Sequence, residues 1–175
     1  ATLSRQWAVP GTPGLEHRVG GLEGANISGN ISSDPDNHEL MTQLRAAKVQ
    51  RVTQEISPTR VMGPKTGDAL VVGWGSTFGP IHQAVKKLQA EGRSVAHSHI
   101  SYLNPLPPDL GKVLSNYKMI IVPEMNMGQL RMLLRAQFLV DAHGINKIKG
   151  KPFTITELVN RIAAVMDGRK LEVVQ

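Results

Sequence analysis

Short, continuous apolar runs that alternate with helical segments are the feature that most constrains the fold of this chain. Residues 69–72 and 119–122 are apolar at every position, as expected for strands covered on both faces. Between such runs, apolar residues recur at steps of three and four, and strand candidates follow one another at a spacing of about 25 residues. We therefore predict an α/β fold with a three-layer, mostly parallel sheet over residues 66–170.

The predicted elements follow from apolar periodicity and from breaker residues. Strands are predicted at 69–72, 94–103, 119–122 and 145–148, and Pro123 is predicted to end the third of them. Helices are predicted at 79–91, from Pro108 to about 117, at 127–140 and at 158–166, the last with Thr156 as its N-cap. The tail, 171–174, is predicted to be an edge strand or frayed.

The N-terminal third has a different character. Six of the 17 glycines lie between Gly11 and Gly29, and this stretch has no apolar period of either 3.6 or 2. Residues 1–34 are therefore predicted to form an irregular, glycine-rich arm that lies against a partner. Asp34 as N-cap and Pro35 as first residue predict a connecting helix over 35–56, followed by a turn-rich linker at 61–68. The predicted domains are 1–34, 35–65 and 66–175.

Charge and cysteine content exclude several classes of function. The net charge is +6, and residues 61–175 account for it with fourteen Lys and Arg against eight Asp and Glu. These basic residues are scattered and are not interleaved with aromatic residues, so we expect a surface that faces a subunit or a cofactor and not nucleic acid. The chain has no cysteine, which excludes disulfides, thiolate zinc sites and iron–sulfur ligation by this chain.

No apolar run is long enough to cross a bilayer, and no signal peptide is recognisable. We therefore expect a cytoplasmic location and no membrane partner. The chain does not begin with methionine, which suggests that it is processed or is part of something longer.

The loop after the first predicted strand is a candidate anion site. Gly73 and Gly75 allow a sharp turn, and the N–H groups of Ser76 and Thr77 lie at a predicted helix start, where anions bind. The spacing is GxGxxxG, not the GxGxxG of dinucleotide sites, and no GKS/T follows. Phosphate binding and a turn that packs on a neighbour both remain open.

Other polar residues favour neither catalysis nor a metal site. His97 and His99 lie two apart on a predicted strand, so they face one side, but no third ligand is apparent nearby. Glu124 ends a predicted strand, where it either meets a ligand or caps the next helix. The clusters 16–18 and 36–38 contain acidic and basic groups without a nucleophile. We predict no catalytic residue and no metal ligand.

Several segments together resemble one known family. They are GTPGLEHRVGGLE, GNISSDPDNHELM, DALVVGWGSTFG, HISYLNPLPPDLG, VPEMNMGQLRMLLR and NKIKGKPF, in this order. Over roughly residues 10–165, the chain resembles the C-terminal part of the alpha subunit of 2-oxoacid:ferredoxin oxidoreductases, and is most similar to those acting on 2-oxoglutarate.

The resemblance implies a fold, a reaction and partners. The fold is like the C-terminal domain of transketolase, used for assembly. The complete enzyme converts a 2-oxoacid, CoA and oxidised ferredoxin into acyl-CoA, CO₂ and reduced ferredoxin, using thiamine diphosphate, Mg²⁺ and 4Fe–4S clusters held outside this segment. The implied partners are the beta subunit, a second alpha subunit and ferredoxin. Residues 10–34 of the arm are expected at a subunit interface near the active-site entrance, with His17 and Arg18 facing the oxoacid substrate or CoA.

Two alternatives remain open at this stage. The first is a stand-alone nucleotide- or CoA-binding module that uses the loop 73–78. The second is an interaction domain that recruits acidic ferredoxin through the basic half of the chain.

Overall fold

The computed structural model describes residues 3–17 and 20–169, and it divides into two compact units, Ala1–Glu55 and Ile56–Gln175. The second unit holds a five-stranded sheet. Its strands are β1 (Val61–Met62), β2 (Gly67–Trp74), β3 (Val95–Ile100), β4 (Tyr117–Glu124) and β5 (Ala142–Asn146). The helices are α1 (Pro35–Gln50), in the first unit, and α2 (Phe78–Ala90), α3 (Leu110–Leu114), α4 (Gln129–Phe138) and α5 (Ile155–Met166), in the second.

The sheet has the strand order β1-β3-β2-β4-β5. The strands β3, β2, β4 and β5 are parallel, and β1 pairs antiparallel to β3. The chain passes from β2 to β3 on one side and then crosses back to β4 on the other. The order of the strands therefore reverses between β2 and β4. The predicted fold class, a mostly parallel α/β sheet in three layers, is confirmed.

Two apolar cores cover the two faces of the sheet. Alternate residues of β2 point to opposite sides, so Val71 belongs to one core and Leu70 to the other. The first core is closed by α2 and α5, the second by α3 and α4. Fully buried leucines such as Leu88 and Leu134 each contribute about 2 kcal/mol to folding.

Four details differ from the sequence-based predictions. Pro123 does not end β4; it lies within it, opposite Ile145 of β5. The N-cap of α5 is Thr154 and not Thr156, because the Thr154 hydroxyl accepts from the N–H of Glu157 in a capping box.

The predicted linker at 61–68 contributes β1 and the start of β2 to the sheet. The connecting helix predicted over 35–56 is shorter: α1 ends at Gln50, and a 3₁₀ helix, Arg51–Gln54, follows it. The predicted edge strand at 171–174 lies outside the described residues.

The first unit is held by polar contacts. In the described part of its arm, an isolated β-bridge joins Gly24 and Ile31. Glu23 accepts hydrogen bonds from His38 and from Arg45, the latter at 2.6 Å, and these two partners hold the pKa of Glu23 below its usual value, with Arg45 the larger cause. As predicted, the Asp34 side chain caps α1, accepting from the N–H of Asp36.

No residue of α1 is buried. In the described ranges, no helix is both long and apolar enough to cross a membrane.

Candidate functional site

The carboxyl edge of the sheet is where an open α/β fold offers a ligand crevice, at the point where strand order reverses. Here that point lies between β2 and β4, whose recorded pairing ends at Val71 and Ile121, before either strand does. The gap is bridged by side chains of the chain itself: the Trp74 indole N–H donates to Oε1 of Glu124 at 3.2 Å. The reversal point is therefore filled by the chain's own side chains.

The side chain of Glu124 caps the N-terminus of α4, although the residue itself lies at the end of β4. Its carboxylate is fully buried, and it accepts from the backbone N–H of Leu130 at 2.8 Å and of Arg131 at 3.0 Å. The Asn126 side-chain amide adds a third donor at 3.2 Å. A negative group at a helix N-terminus is stabilised by the free N–H groups and by the helix dipole. Of the two sequence-based readings, the geometry supports the cap.

The loop after β2 is built by internal contacts. The Thr77 hydroxyl donates to the carbonyl of Trp74 at 2.8 Å and accepts from its N–H at 3.3 Å. Gly73 is buried, and a Cβ there would meet Cδ1 of the buried Ile81 at 2.6 Å, so a larger residue would force that side chain of α2 to move. Gly75 has a φ of +59°, the left-handed region. Ser76 is exposed. The loop thus serves the packing of α2, and anion binding by it stays a prediction.

A histidine cluster lies beside this loop, under the start of α2. His97 and His99 contact each other with ring centroids 5.9 Å apart, which confirms that they face one side of the sheet. Phe78 contacts both rings, and His82 lies 6.0 Å from His97 and stacks on Phe78 at 5.4 Å. His99 Nε2 donates to the carbonyl of Gly75 at 3.1 Å, which fixes its tautomer.

Burial lowers the pKa of His97 and of the half-buried His99, and His97 is neutral near pH 7. His97 is fully buried, and neither of its ring nitrogens has a partner among the described residues. Burial, reinforced by His99 and His82, lowers the pKa of His97 to about 3. Burial also lowers the pKa of His99, against the opposing hydrogen bond to Gly75. In the described part of the chain, no hydrogen bond joins these rings to a nucleophile. The cluster therefore packs as part of the protein interior and shows no catalytic arrangement.

The sequence reasoning missed Phe78 and His82 as members of this cluster. Their spacing of four residues on a helix places them on one face, and that signal was available. Their meeting with strand β3 is a tertiary contact that no local pattern shows.

The remaining candidates lie in the first unit. His17 is exposed, and its Nδ1 contacts the carbonyl of Leu15 at 2.9 Å. Arg18 lies outside the described residues. His38 pairs with Glu23, in the cluster described above. Within residues 3–17 and 20–169, no group of three or more histidine, aspartate or glutamate side chains is placed to hold a metal ion.

Comparisons with known proteins agree on one family. Residues 67–169 match the family "Pyruvate:ferredoxin oxidoreductase core domain II". The chain is 48% identical over 176 residues to the "2-oxoglutarate oxidoreductase subunit KorA" of Mycobacterium tuberculosis, covering 99% of this chain and 26% of that protein. It is 30% identical over 152 residues to the "2-oxoacid:ferredoxin oxidoreductase subunit alpha" of Saccharolobus solfataricus, covering 83% of this chain and 24% of that one.

A solved structure gives the same answer. The 2-oxoglutarate:ferredoxin oxidoreductase of Magnetococcus marinus, determined with 2-oxoglutarate, coenzyme A and succinyl-CoA bound, superposes with a TM-score of 0.81 at 34% identity, over 91% of this chain and 28% of that one. The chain thus spans roughly a quarter of the length of these relatives. The resemblance inferred from the sequence motifs is confirmed: the chain belongs to the family of 2-oxoacid:ferredoxin oxidoreductase alpha subunits, and residues 67–169 match its core domain II.

Proposed function

We propose that this chain is an assembly and scaffold segment of a 2-oxoacid:ferredoxin oxidoreductase. The complete enzyme would convert a 2-oxoacid, CoA and oxidised ferredoxin into acyl-CoA, CO₂ and reduced ferredoxin, with 2-oxoglutarate as the best-supported substrate. The observation that carries this proposal is the 48% identity that extends over 99% of the chain. The beta subunit, a second alpha subunit and ferredoxin are the proposed partners.

The implied cofactors do not fit the residues of this chain. It has no cysteine, so it supplies no thiolate to an iron–sulfur cluster. The described residues also form no group of three potential metal ligands. We therefore assign thiamine diphosphate, Mg²⁺ and the 4Fe–4S clusters to other parts of the enzyme.

A scaffold role agrees with the chemistry of the carboxyl edge. The buried carboxylate of Glu124 is used by four donors of this chain, and the Thr77 hydroxyl is used by the turn that contains it. Groups already paired in this way gain little by contacting a substrate. The same pairing weighs against the stand-alone nucleotide- or CoA-binding module, which needs the loop 73–78 free to bind an anion.

The arm is the part of the chain that we propose to lie at a subunit interface. Large apolar side chains there are strongly exposed: Trp7 by 93%, Leu22 by 69% and Ile27 by 90%. A partner that covered these side chains would remove their apolar surface from water, and this exposure supports the proposal. We keep the proposal that residues 10–34 border the active-site entrance, with His17 and Arg18 facing the oxoacid or CoA.

Replacement of a matching segment tests the scaffold role. A chimera of the mycobacterial relative, in which this chain replaces the matching quarter of its subunit, should assemble and reduce ferredoxin in the presence of 2-oxoglutarate and CoA. The proposal would be contradicted if the chimera failed to assemble although circular dichroism showed that the isolated chain is folded. Micromolar binding of CoA, ADP or thiamine diphosphate to the isolated chain, measured by calorimetry, would favour the module instead.

Arg18→Ala tests the arm, in the same chimera. If Arg18 faces a substrate, the Michaelis constant for 2-oxoglutarate or CoA rises, whereas Arg60→Ala, at an exposed position in the second unit, leaves both constants unchanged. Unchanged Michaelis constants in Arg18→Ala would end this part of the proposal.

Recruitment of ferredoxin by the basic half of the chain is tested by adding salt, because screening weakens charge-guided association. A rate of ferredoxin reduction that is insensitive to salt would contradict it.

A further inference from the structure

A basic groove borders the free side of edge strand β5. Its volume is about 430 Å³. The charged and titratable side chains among its lining residues are three arginines, one histidine and one aspartate: Arg131, Arg135, Arg169, His143 and Asp141. We call it the β5 groove. Its size falls within the usual range for small-molecule sites.

Arg131 is the unpaired cation of the β5 groove. Among the described residues, no carboxylate oxygen lies within 4.0 Å of its guanidinium, and its Nε is buried with no hydrogen-bond partner. Buried charged donors without a partner are rare and point to a missing ligand or water. Its two neighbours in the groove are paired, Arg135 with Asp141 and Arg169 with Asp167.

Two glycines create the place that Arg131 occupies. A Cβ on Gly144 would meet the arginine Cδ at 3.1 Å and Nη1 at 3.2 Å, and a Cβ on Gly128 would meet Nε at 3.4 Å. Gly128 is also the N-cap of α4, with a φ of +100°. The absence of a side chain at Gly128 and Gly144 therefore leaves room for the Arg131 side chain beside the start of α4 and β5. A guanidinium without a carboxylate partner in the described part of the chain suits an anion with several acceptor oxygens.

An added strand is a poor candidate for the occupant. The carbonyl of Ala142 already accepts from Arg135 at 3.3 Å, and that of Asn146 accepts from Arg161 at 3.2 Å. A peptide that paired with β5 would have to displace both side chains. Side chains from α4 and α5 thus cover part of the edge of β5, and a covered edge resists such pairing. The excess of positive charge favours a compact anion instead.

We propose that the β5 groove binds a phosphate-bearing anion, a diphosphate or a phosphate ester, with Arg131 as its principal ligand. A diphosphate carries enough charge and oxygen atoms to pair with Arg131 through more than one oxygen, and the volume exceeds the need of a single phosphate. This site is at β5 and not at the loop 73–78. It does not depend on the function proposed above.

Titration of the 175-residue chain with inorganic pyrophosphate tests this site. In ¹H–¹⁵N NMR spectra, saturable shifts should centre on the amides of Arg131 and Gly144. Shifts centred on residues 75–77, or no saturable shift, would overturn the proposal. ADP and adenosine distinguish the source of the phosphate: tighter binding of ADP than of pyrophosphate identifies a nucleotide, equal binding identifies the diphosphate alone, and binding of adenosine as strong as that of ADP excludes phosphate recognition.

Substitution identifies the ligand residue. Arg131→Gln should raise the dissociation constant for pyrophosphate about tenfold or more, as expected when one charge-assisted contact is lost. Arg60→Gln removes the same charge at an exposed position and should change it by less than about twofold. Gly144→Ala, which crowds the guanidinium, should also weaken binding. Equal affinity of Arg131→Gln and Arg60→Gln would overturn the assignment, and the wild-type NMR data decide the matter if a variant fails to fold.

Discussion

Replacing Glu124 with glutamine is the most direct test of the contacts that this carboxylate makes between β2 and β4, with Trp74 and with the N-terminus of α4. The side chain keeps its size but loses its charge, and its amide nitrogen cannot accept a hydrogen bond. In the most favourable orientation, the glutamine oxygen accepts the three hydrogen bonds that Glu124 Oε1 now accepts, from Trp74, Asn126 and Leu130. The backbone N–H of Arg131, which now donates to Oε2, then has no acceptor.

The magnitude follows from these contacts. An unmade bond to a buried donor costs about 1–3 kcal/mol, and the three retained bonds each weaken by roughly 1 kcal/mol when the acceptor becomes neutral. The lower cost of burying a neutral group offsets part of this loss. We expect the free energy of unfolding to fall by about 3 kcal/mol and the melting temperature by about 10 °C.

The assay is urea unfolding followed by far-ultraviolet circular dichroism. Glu91→Gln, an exposed position after α2, is the matched control, and we expect it to change the free energy of unfolding by less than about 0.5 kcal/mol. A loss below about 1 kcal/mol in Glu124→Gln would refute the reasoning. If enzyme activity fell in the chimera while stability did not, Glu124 would face a ligand and not serve as a cap.

Three further changes follow from particular contacts. Gly73→Ala should lower the free energy of unfolding by about 1–3 kcal/mol because its Cβ has no room, whereas Gly79→Ala, with nothing within 4 Å of the new Cβ, should raise it by about 0.5 kcal/mol; equal melting temperatures would contradict this. Thr154→Ala should cost about 1 kcal/mol and Thr156→Ala close to nothing in urea unfolding, and the reverse order would restore the sequence-based cap. Because the pKa of His97 is lowered to about 3, the unfolded chain binds more protons below about pH 6.5, so stability is complete above that pH and falls as the pH drops towards 3. Between pH 5 and 7, His97→Val should flatten the slope of unfolding free energy against pH, and an unchanged slope would exclude His97 as its cause.

Much of the sheet could be predicted because its central strands are continuous apolar runs. Residues 69–72 and 120–122 are buried, and a continuous apolar run of this kind predicts a strand without knowledge of its neighbours in the sheet. Strand β1 has two residues and joins the sheet only through β3, so its sequence shows no period. Pro123 is tolerated inside β4 because it lies beyond the recorded pairing with β2.

The candidate site was predictable only where the pattern was local. Two histidines two residues apart on a strand had to share a face, and the structure brings their rings together. The choice of Thr156 as a cap overlooked an available signal, since Thr154 precedes Glu157 by the three residues of a capping box. The sequence could not decide whether Glu124 contacts a ligand or caps the next helix. That choice depends on the path of the chain after β4, which the spacing of residues does not predict.

The bridge between Trp74 and Glu124 has a consequence for anyone who would alter this fold. Sheets of this topology usually keep an opening between the strands at which their order reverses, and new ligand specificities arise by reshaping that opening. Here a large indole and a buried carboxylate occupy the gap. Evolution of a new binding activity at this position would first require a smaller residue at Trp74, and would lose one partner of the α4 cap at the same step.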